Sequence, residues 1–238
     1  MTTASKPSFK ELMSQMKQEA PSVTPTVAIQ GNKKKLDERY ELNQGWYDAL
    51  LNTDMVLCSR EEAQDLRLVP DEKRQIVEIG VYEGASSVFW SDFYMSHPES
   101  RLISIDPFTG SSEHHEKPEN YPELERIELT ARGNIAKSDN AAKIEILKGC
   151  SWDVFPEVSR RFGSEPWIDL LYIDGAHDPT SVARDTTLYV PMVKSGGVVI
   201  FDDYGHPDVK RGVDGALMAF ASMELAIFTG WQLACKVK

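Results

Sequence analysis

The sequence predicts an α/β fold: a mostly parallel sheet with an antiparallel C-terminal strand and helices on both faces. Three observations carry this expectation. From residue 75 onward five short apolar segments recur, "QIVEIG", "RLISID", "KIEILKG", "IDLLYID" and "GGVVIFDD", each of strand rather than helix length. Helical stretches stand between them at about 85–96, 123–137, 152–162 and 179–192. Strand–helix alternation of this kind means a parallel sheet covered on both sides. After a helix near 209–223, Thr229 and Gly230 interrupt "LAIFTGWQLACKVK" as a turn, so the chain is expected to close in an antiparallel pair.

Ahead of the sheet, "SFKELMSQMKQEA" places Phe9, Leu12, Met13 and Met16 on one helical face, with Ser8 as cap. "PSVTPT" breaks that helix and reads as a linker. "ERYELNQGWYDALLNTD" reads as a second helix, and "SREEAQDLRLV" opens a third with Ser59 and Glu62 in capping-box spacing. Residues 1–70 are therefore expected to form a helical cover or linker, and residues 71–238 the main domain. Residues 1–45 and the odd loop at 108–125 are expected to roof the ligand edge of the sheet.

Composition narrows the function. With 41% hydrophobic and 26% charged residues the chain is of ordinary globular type. A net charge of −11 leaves no basic surplus to neutralise a nucleic-acid backbone, and the run "NKKK" reads as a solvated segment. Cys58, Cys150 and Cys235 show no metal or redox spacing, which favours a reducing compartment. No signal peptide or membrane-length apolar run is visible. A cytoplasmic protein with no membrane or nucleic-acid partner is expected, and a homo-oligomer is compatible with the sequence.

The first strand runs into "IVEIGVYEGASS", a loop poor in side chains with Glu78 near its tip. Glycine lets backbone approach a ligand closely, and a strand–turn–helix of this kind is where α/β sheets hold nucleotide-like ligands. The triphosphate loop requires G-x-x-x-x-G-K-[ST], and "GVYEGASS" has no lysine. The dinucleotide fingerprint requires three glycines, whereas here only Gly80 and Gly84 are present, with Val81 and Tyr82 between. A ligand without phosphate, whose cationic portion welcomes a carboxylate, suits this loop. "RLISIDPF" ends at Asp106, near the separation expected of an acid gripping ribose hydroxyls. In "LKGCSWDVF", Gly149, Ser151 and Trp152 can frame a flat base.

Residues 75–203 resemble the class I S-adenosylmethionine-dependent methyltransferases: "VEIGVYEGAS" the first motif, "ISIDPF" the ribose acid, "DLLYIDGAHDPTSVARD" and "SGGVVIFDDY" the later motifs. The last two most resemble the metal-dependent small-molecule O-methyltransferases of the catechol and macrocin types, methyltransferase family 24. The resemblance implies that Glu78, Gly80, Tyr82, Gly84 and Ser86 line the methionine side of S-adenosylmethionine. It implies likewise that Asp106 binds the ribose, that Ser151 and Trp152 bind the adenine, and that Asp174 lies against the cofactor.

Asp174 follows "LLYI", and Asp202 and Asp203 follow "GVVIF". On neighbouring parallel strands these carboxylates gather at one edge and repel one another unless a cation joins them. A hard divalent ion such as Mg2+ meets that need, with Asp174, Asp202 and Asp203 as its ligands. Asp178, before Pro179, is assigned to a helix cap. His177 stands where the catechol type has a basic lysine and is the expected proton acceptor beside Asp174. His114 and His115, in a charged loop, are left out of the site.

The expected activity is methyl transfer from S-adenosylmethionine to a hydroxyl of a small-molecule acceptor. Two alternatives are a cephalosporin-hydroxylase-like enzyme of the same fold and a non-catalytic S-adenosylmethionine-binding protein. The acceptor itself is not legible, because the segments that would choose it match least.

Overall fold

A computed structural model describes residues 39–42, 71–116, 118–163, 165–220 and 223–238. The expected helix around Phe9–Met16, the "PSVTPT" linker, "NKKK", Cys58 and the helix of "SREEAQDLRLV" lie outside the described residues, as does nearly all of the 1–70 cover.

Seven strands form one sheet in the order β3-β2-β1-β4-β5-β7-β6. They are β1 (Gln75–Ile79), β2 (Arg101–Asp106), β3 (Ile144–Lys148), β4 (Ile168–Ile173), β5 (Val193–Phe201), β6 (Met223–Phe228) and β7 (Leu233–Val237). The first five are mutually parallel, while β7 runs antiparallel to both β5 and β6. Between them lie α1 (Ala85–Tyr94), α2 (Ser112–Glu116), α3 (Ile127–Lys137), α4 (Ser151–Phe162), α5 (Pro179–Tyr189) and α6 (Pro207–Leu217). The expected 123–137 helix is divided: Pro122–Arg126 winds as a 3-10 turn before α3 begins. The helix expected near 209–223 starts at Pro207 and ends at Leu217.

Strand periodicity sorts the core into two layers. Ile76, Leu102, Leu170, Tyr172, Val198 and Ile200 pack with Phe89, Trp90 and Tyr94 of α1. Val77, Ile103, Leu171, Ile173, Val199 and Phe201 face the other way, against Val158 of α4, Val182 and Tyr189 of α5 and Val213 of α6. Central β1 is buried on both faces, whereas edge strand β3 keeps Glu145 and Lys148 exposed. That is the pattern a doubly covered sheet demands of its interior and its rim. The short segment Arg39–Leu42 docks on α1 and α3: the Tyr40 hydroxyl donates to Asp92 at 2.7 Å, and the Glu41 amide donates to Asn134 at 2.7 Å. Among the described residues no helix is long and apolar enough to cross a membrane.

Candidate active site

From β1 the chain steps outward to β2 and β3, then returns past β1 to β4 and β5, so the order reverses between β1 and β4. Ligands bind in open α/β sheets at the carboxyl side of such a reversal. Gly80 marks the spot. Its φ is +92°, and a Cβ there would lie 1.8 Å from the carbonyl oxygen of Asp174. Backbone crowding from β4 thus requires glycine at this position, whatever the ligand.

Asp106, at the end of β2, binds the loop together. One carboxylate oxygen accepts the Val81 amide at 2.7 Å and the Tyr82 amide at 3.1 Å, and the other accepts the Phe108 amide at 2.6 Å. Tyr82 sits in left-handed backbone with φ +50°. Its hydroxyl donates to Glu123, and its ring stacks on His114 at 5.8 Å. The odd 108–125 segment is therefore latched onto the loop. Gly84, φ +84°, precedes α1 as its N-cap.

Glu78 is fully buried beneath α1 rather than exposed at the loop's surface. Oε2 accepts from the hydroxyls of Ser87 and, at 2.7 Å, Ser104, while Oε1 has no partner among the described residues. Burial pushes its carboxyl up to about 7, against the pull of Ser104, Ser86 and Ser87. Ser86 is buried with it.

After β3, Ser151 opens α4 and its hydroxyl donates to the buried carboxylate of Asp185 on α5. Trp152 carries the guanidinium of Arg184 over its ring at 4.2 Å. Ser151 and Trp152 are thus both tied to α5.

At the ends of β4 and β5, ligand atoms of Asp174, His177 and Asp203 all lie within 4.8 Å of one another. Asp203 has left β5 in left-handed backbone, φ +51°, and its Oδ2 lies 2.7 Å from His177 Nε2. Asp202 keeps the strand's alternation and points to the α1 face. There it accepts from the Tyr172 hydroxyl at 2.8 Å and from the Gln232 amide at 2.9 Å. It adjoins Asp174 through Tyr172, whose hydroxyl is 3.4 Å from Asp174 Oδ2. Burial, then the charges of Asp202 and Asp203, hold the Asp174 carboxyl well above the carboxylate range, with His177 opposing. Burial and the charge of Asp203 push Asp202 up to about 6. Asp178 caps α5, accepting the Thr180 and Ser181 amides at 3.0 Å each.

Of the residues expected to hold metal, the geometry gathers Asp174 and Asp203 with His177, and sets Asp202 just behind them. Tyr172, Gln232, Asp185 and Glu123 belong to this edge without having been singled out from sequence. Tyr172 and Asp185 stood inside the recognised motifs, yet only burial reveals that each turns its polar end onto a site residue. Gln232 and Glu123 lie in segments the sequence did outline, the closing pair and the stretch from 123, but nothing local marks either side chain as reaching the site.

A family model described as a methyltransferase domain matches residues 77–204. The protein called uncharacterized protein R132 of Acanthamoeba polyphaga mimivirus is 31% identical over 130 residues, covering 54% of this chain and 50% of that protein. The chain thus matches about half the length of that relative. Among solved structures, O-methyltransferase TomG from Streptomyces achromogenes, in complex with SAM, aligns with a TM-score of 0.55 at 19% identity, covering 86% of this chain and 91% of that one. An O-methyltransferase from Bacillus cereus, in complex with SAH, aligns with a TM-score of 0.51 at 18% identity, covering 76% and 82%. At these identities the likeness establishes the fold, which is the Rossmann-like methyltransferase sheet expected from the sequence.

Proposed function

The chain belongs to the methyltransferase-domain family, and from that premise we propose that it transfers the methyl group of S-adenosylmethionine to a hydroxyl oxygen of a small molecule, with a divalent cation at the acceptor end. One observation carries the reading: the Asp106 loop and the Asp174–His177–Asp203 cluster meet at the same sheet reversal. A binding loop alone would serve a sensor; a second cluster of acid and base beside it serves a reaction.

The residues fit both groups. For the cofactor, one candidate anchor, Asp106, ends β2 and the other, Ser151, opens α4 after β3, and the buried Glu78 Oε1 has no partner among the described residues. For the cation, two carboxylates and an imidazole converge, and the Asp174 carboxyl is pushed up first by burial and then by the neighbouring charges of Asp202 and Asp203. Carboxylate oxygens suit a hard divalent ion such as Mg2+. Asp174 and Asp203 would hold it, with Asp202 set just behind them on Tyr172 and Gln232. When bound, such a cation lowers the pKa of a coordinated hydroxyl and orients it.

The chain's own groups supply the rest. Asp106 orders the loop and grips the ribose. Ser151 and Trp152 receive the base. His177, oriented by Asp203, takes the acceptor proton on its imidazole. The latched 108–125 segment, with Tyr82 and Glu123, keeps water from the reacting atoms.

The test has two arms. Calorimetry with S-adenosylhomocysteine measures cofactor binding. Labelled S-adenosylmethionine with Mg2+ and a panel of phenols, catechols and glycosides measures transfer, with and without chelator. Binding together with chelator-sensitive transfer is expected. Preferential binding of NAD would overturn the cofactor reading, and binding without transfer to any acceptor would favour a sensor.

A further inference from the structure

Asp185 is 2% exposed and lies on α5, in none of the roles given above. Burying a carboxylate is costly, and an apolar side chain would pack the same space without that cost. Its surroundings indicate what the charge does. One oxygen accepts the Ser151 hydroxyl. The other faces the end of β4, where a Cβ on Gly175 would sit 3.4 Å from it. One turn further along α5, the Tyr189 hydroxyl donates to the Ser151 carbonyl at 2.7 Å. Arg184, the preceding residue, covers Trp152 at 4.2 Å. Three residues of α5 therefore grip Ser151 and Trp152, the first two residues of α4.

A serine hydroxyl has one proton to donate and two lone pairs to accept with. Burial pushes the Asp185 carboxyl up to about 6, so at pH 8 it is ionised and can only accept, and the single Ser151 proton is committed to it. What remains on Ser151 Oγ is acceptor capacity. Any ligand group that meets this oxygen must then be a donor. The six-position of adenine carries an amino donor; the same position of hypoxanthine carries a carbonyl acceptor.

We infer that Asp185 is a positioning residue that fixes Ser151 as an acceptor and so selects a 6-amino purine in the cofactor. The inference rests on the proposed S-adenosylmethionine reading. Asp185 touches no ligand in it; it acts by setting the direction of one hydroxyl.

Calorimetry on the full chain at pH 8 compares S-adenosylhomocysteine with S-inosylhomocysteine, its 6-oxo counterpart. The wild type is expected to prefer the adenosyl compound. In Asp185→Leu and in Ser151→Ala that preference should fall on the order of tenfold, the scale of one buried hydrogen-bond mismatch. The double variant should fall no further than either single one. A variant that weakens both ligands equally, leaving their ratio unchanged, would reduce Asp185 to a packing residue and overturn the inference. Should Asp185→Leu fail to fold, judged by its thermal transition, Asp185→Asn decides. Its amide offers Ser151 an N–H as well as an oxygen and no longer forces the hydroxyl's direction, so the ratio should drop; an unchanged ratio overturns the inference. Failure of the wild type to bind either compound would instead bring down the cofactor reading itself.

Discussion

His177 Nε2 and Asp203 Oδ2 lie 2.7 Å apart because Asp203 departs from β5 with a φ of +51°. Without that left-handed step, consecutive strand residues would face opposite sides of the sheet. Aspartate tolerates the conformation better than most residues, and a β-branched residue tolerates it poorly. Asp203→Asn should therefore leave stability nearly unchanged, while Asp203→Val should add about 1–2 kcal/mol of strain. Urea denaturation of both variants checks this, and equal stability would mean the turn is not constrained.

Divalent binding should depend on the cluster these residues form. Asp174→Ala and Asp203→Ala are expected to weaken Mn2+ binding at least tenfold while changing S-adenosylhomocysteine affinity by less than about threefold, a difference under 1 kcal/mol. Titration of Mn2+ by calorimetry or electron paramagnetic resonance decides it. Unaltered Mn2+ affinity in both variants would remove the metal from the reading.

His177→Ala should lower the transfer rate by roughly 10²–10⁴, the range of a lost proton acceptor. With a phenolic acceptor, activity should return as pH rises and the phenol ionises without help. A rate deficit that is the same at every pH would leave His177 with a ligand or packing role in place of proton transfer.

Asp106 has two duties, since the carboxylate that is proposed to grip ribose also accepts three loop amides. Asp106→Ala should weaken S-adenosylhomocysteine binding by roughly 1–3 kcal/mol. The loss should come with faster amide exchange at Val81 and Tyr82. Unchanged affinity in calorimetry would take Asp106 out of the binding loop.

Glu78 makes the stability of the fold depend on pH. Its folded carboxyl is raised by burial from 4.5 to about 7, so the folded state holds the proton more tightly than the unfolded chain. That stabilisation is fully present below pH 4.5 and lost as pH rises to about 7. The loss amounts to roughly 3 kcal/mol, at 1.36 kcal/mol per pKa unit. Glu78→Gln should flatten this part of the stability profile. Denaturation series from pH 4.5 to 8 measure the slope, and identical slopes in wild type and variant would contradict it.

Strand periodicity and turn residues were enough to place all seven strands, because one or both faces of each must be buried and that requirement is written locally in apolar residues. β1, β2 and β4 read as short, mainly apolar segments for this reason, each interrupted by one polar residue (Glu78, Ser104 and Asp169), and the Thr229–Gly230 turn announced the final hairpin. Asp178 before Pro179 was legible as a cap, since a cap is made by neighbours in sequence. Strand-end position likewise brought Asp106, Asp174, Asp202 and Asp203 to one edge. What only the tertiary structure decided is which way each polar side chain turns once there. Asp202 goes to Tyr172 and Gln232, and Asp203 to His177. Glu78 goes under α1 to its serines, and Ser151 to Asp185. Each of these choices is a hydrogen bond or charge contact between residues at least nine positions apart, and most span about thirty. Local pattern sets which residues reach the edge; the partners that arrive from other elements set what each can bind.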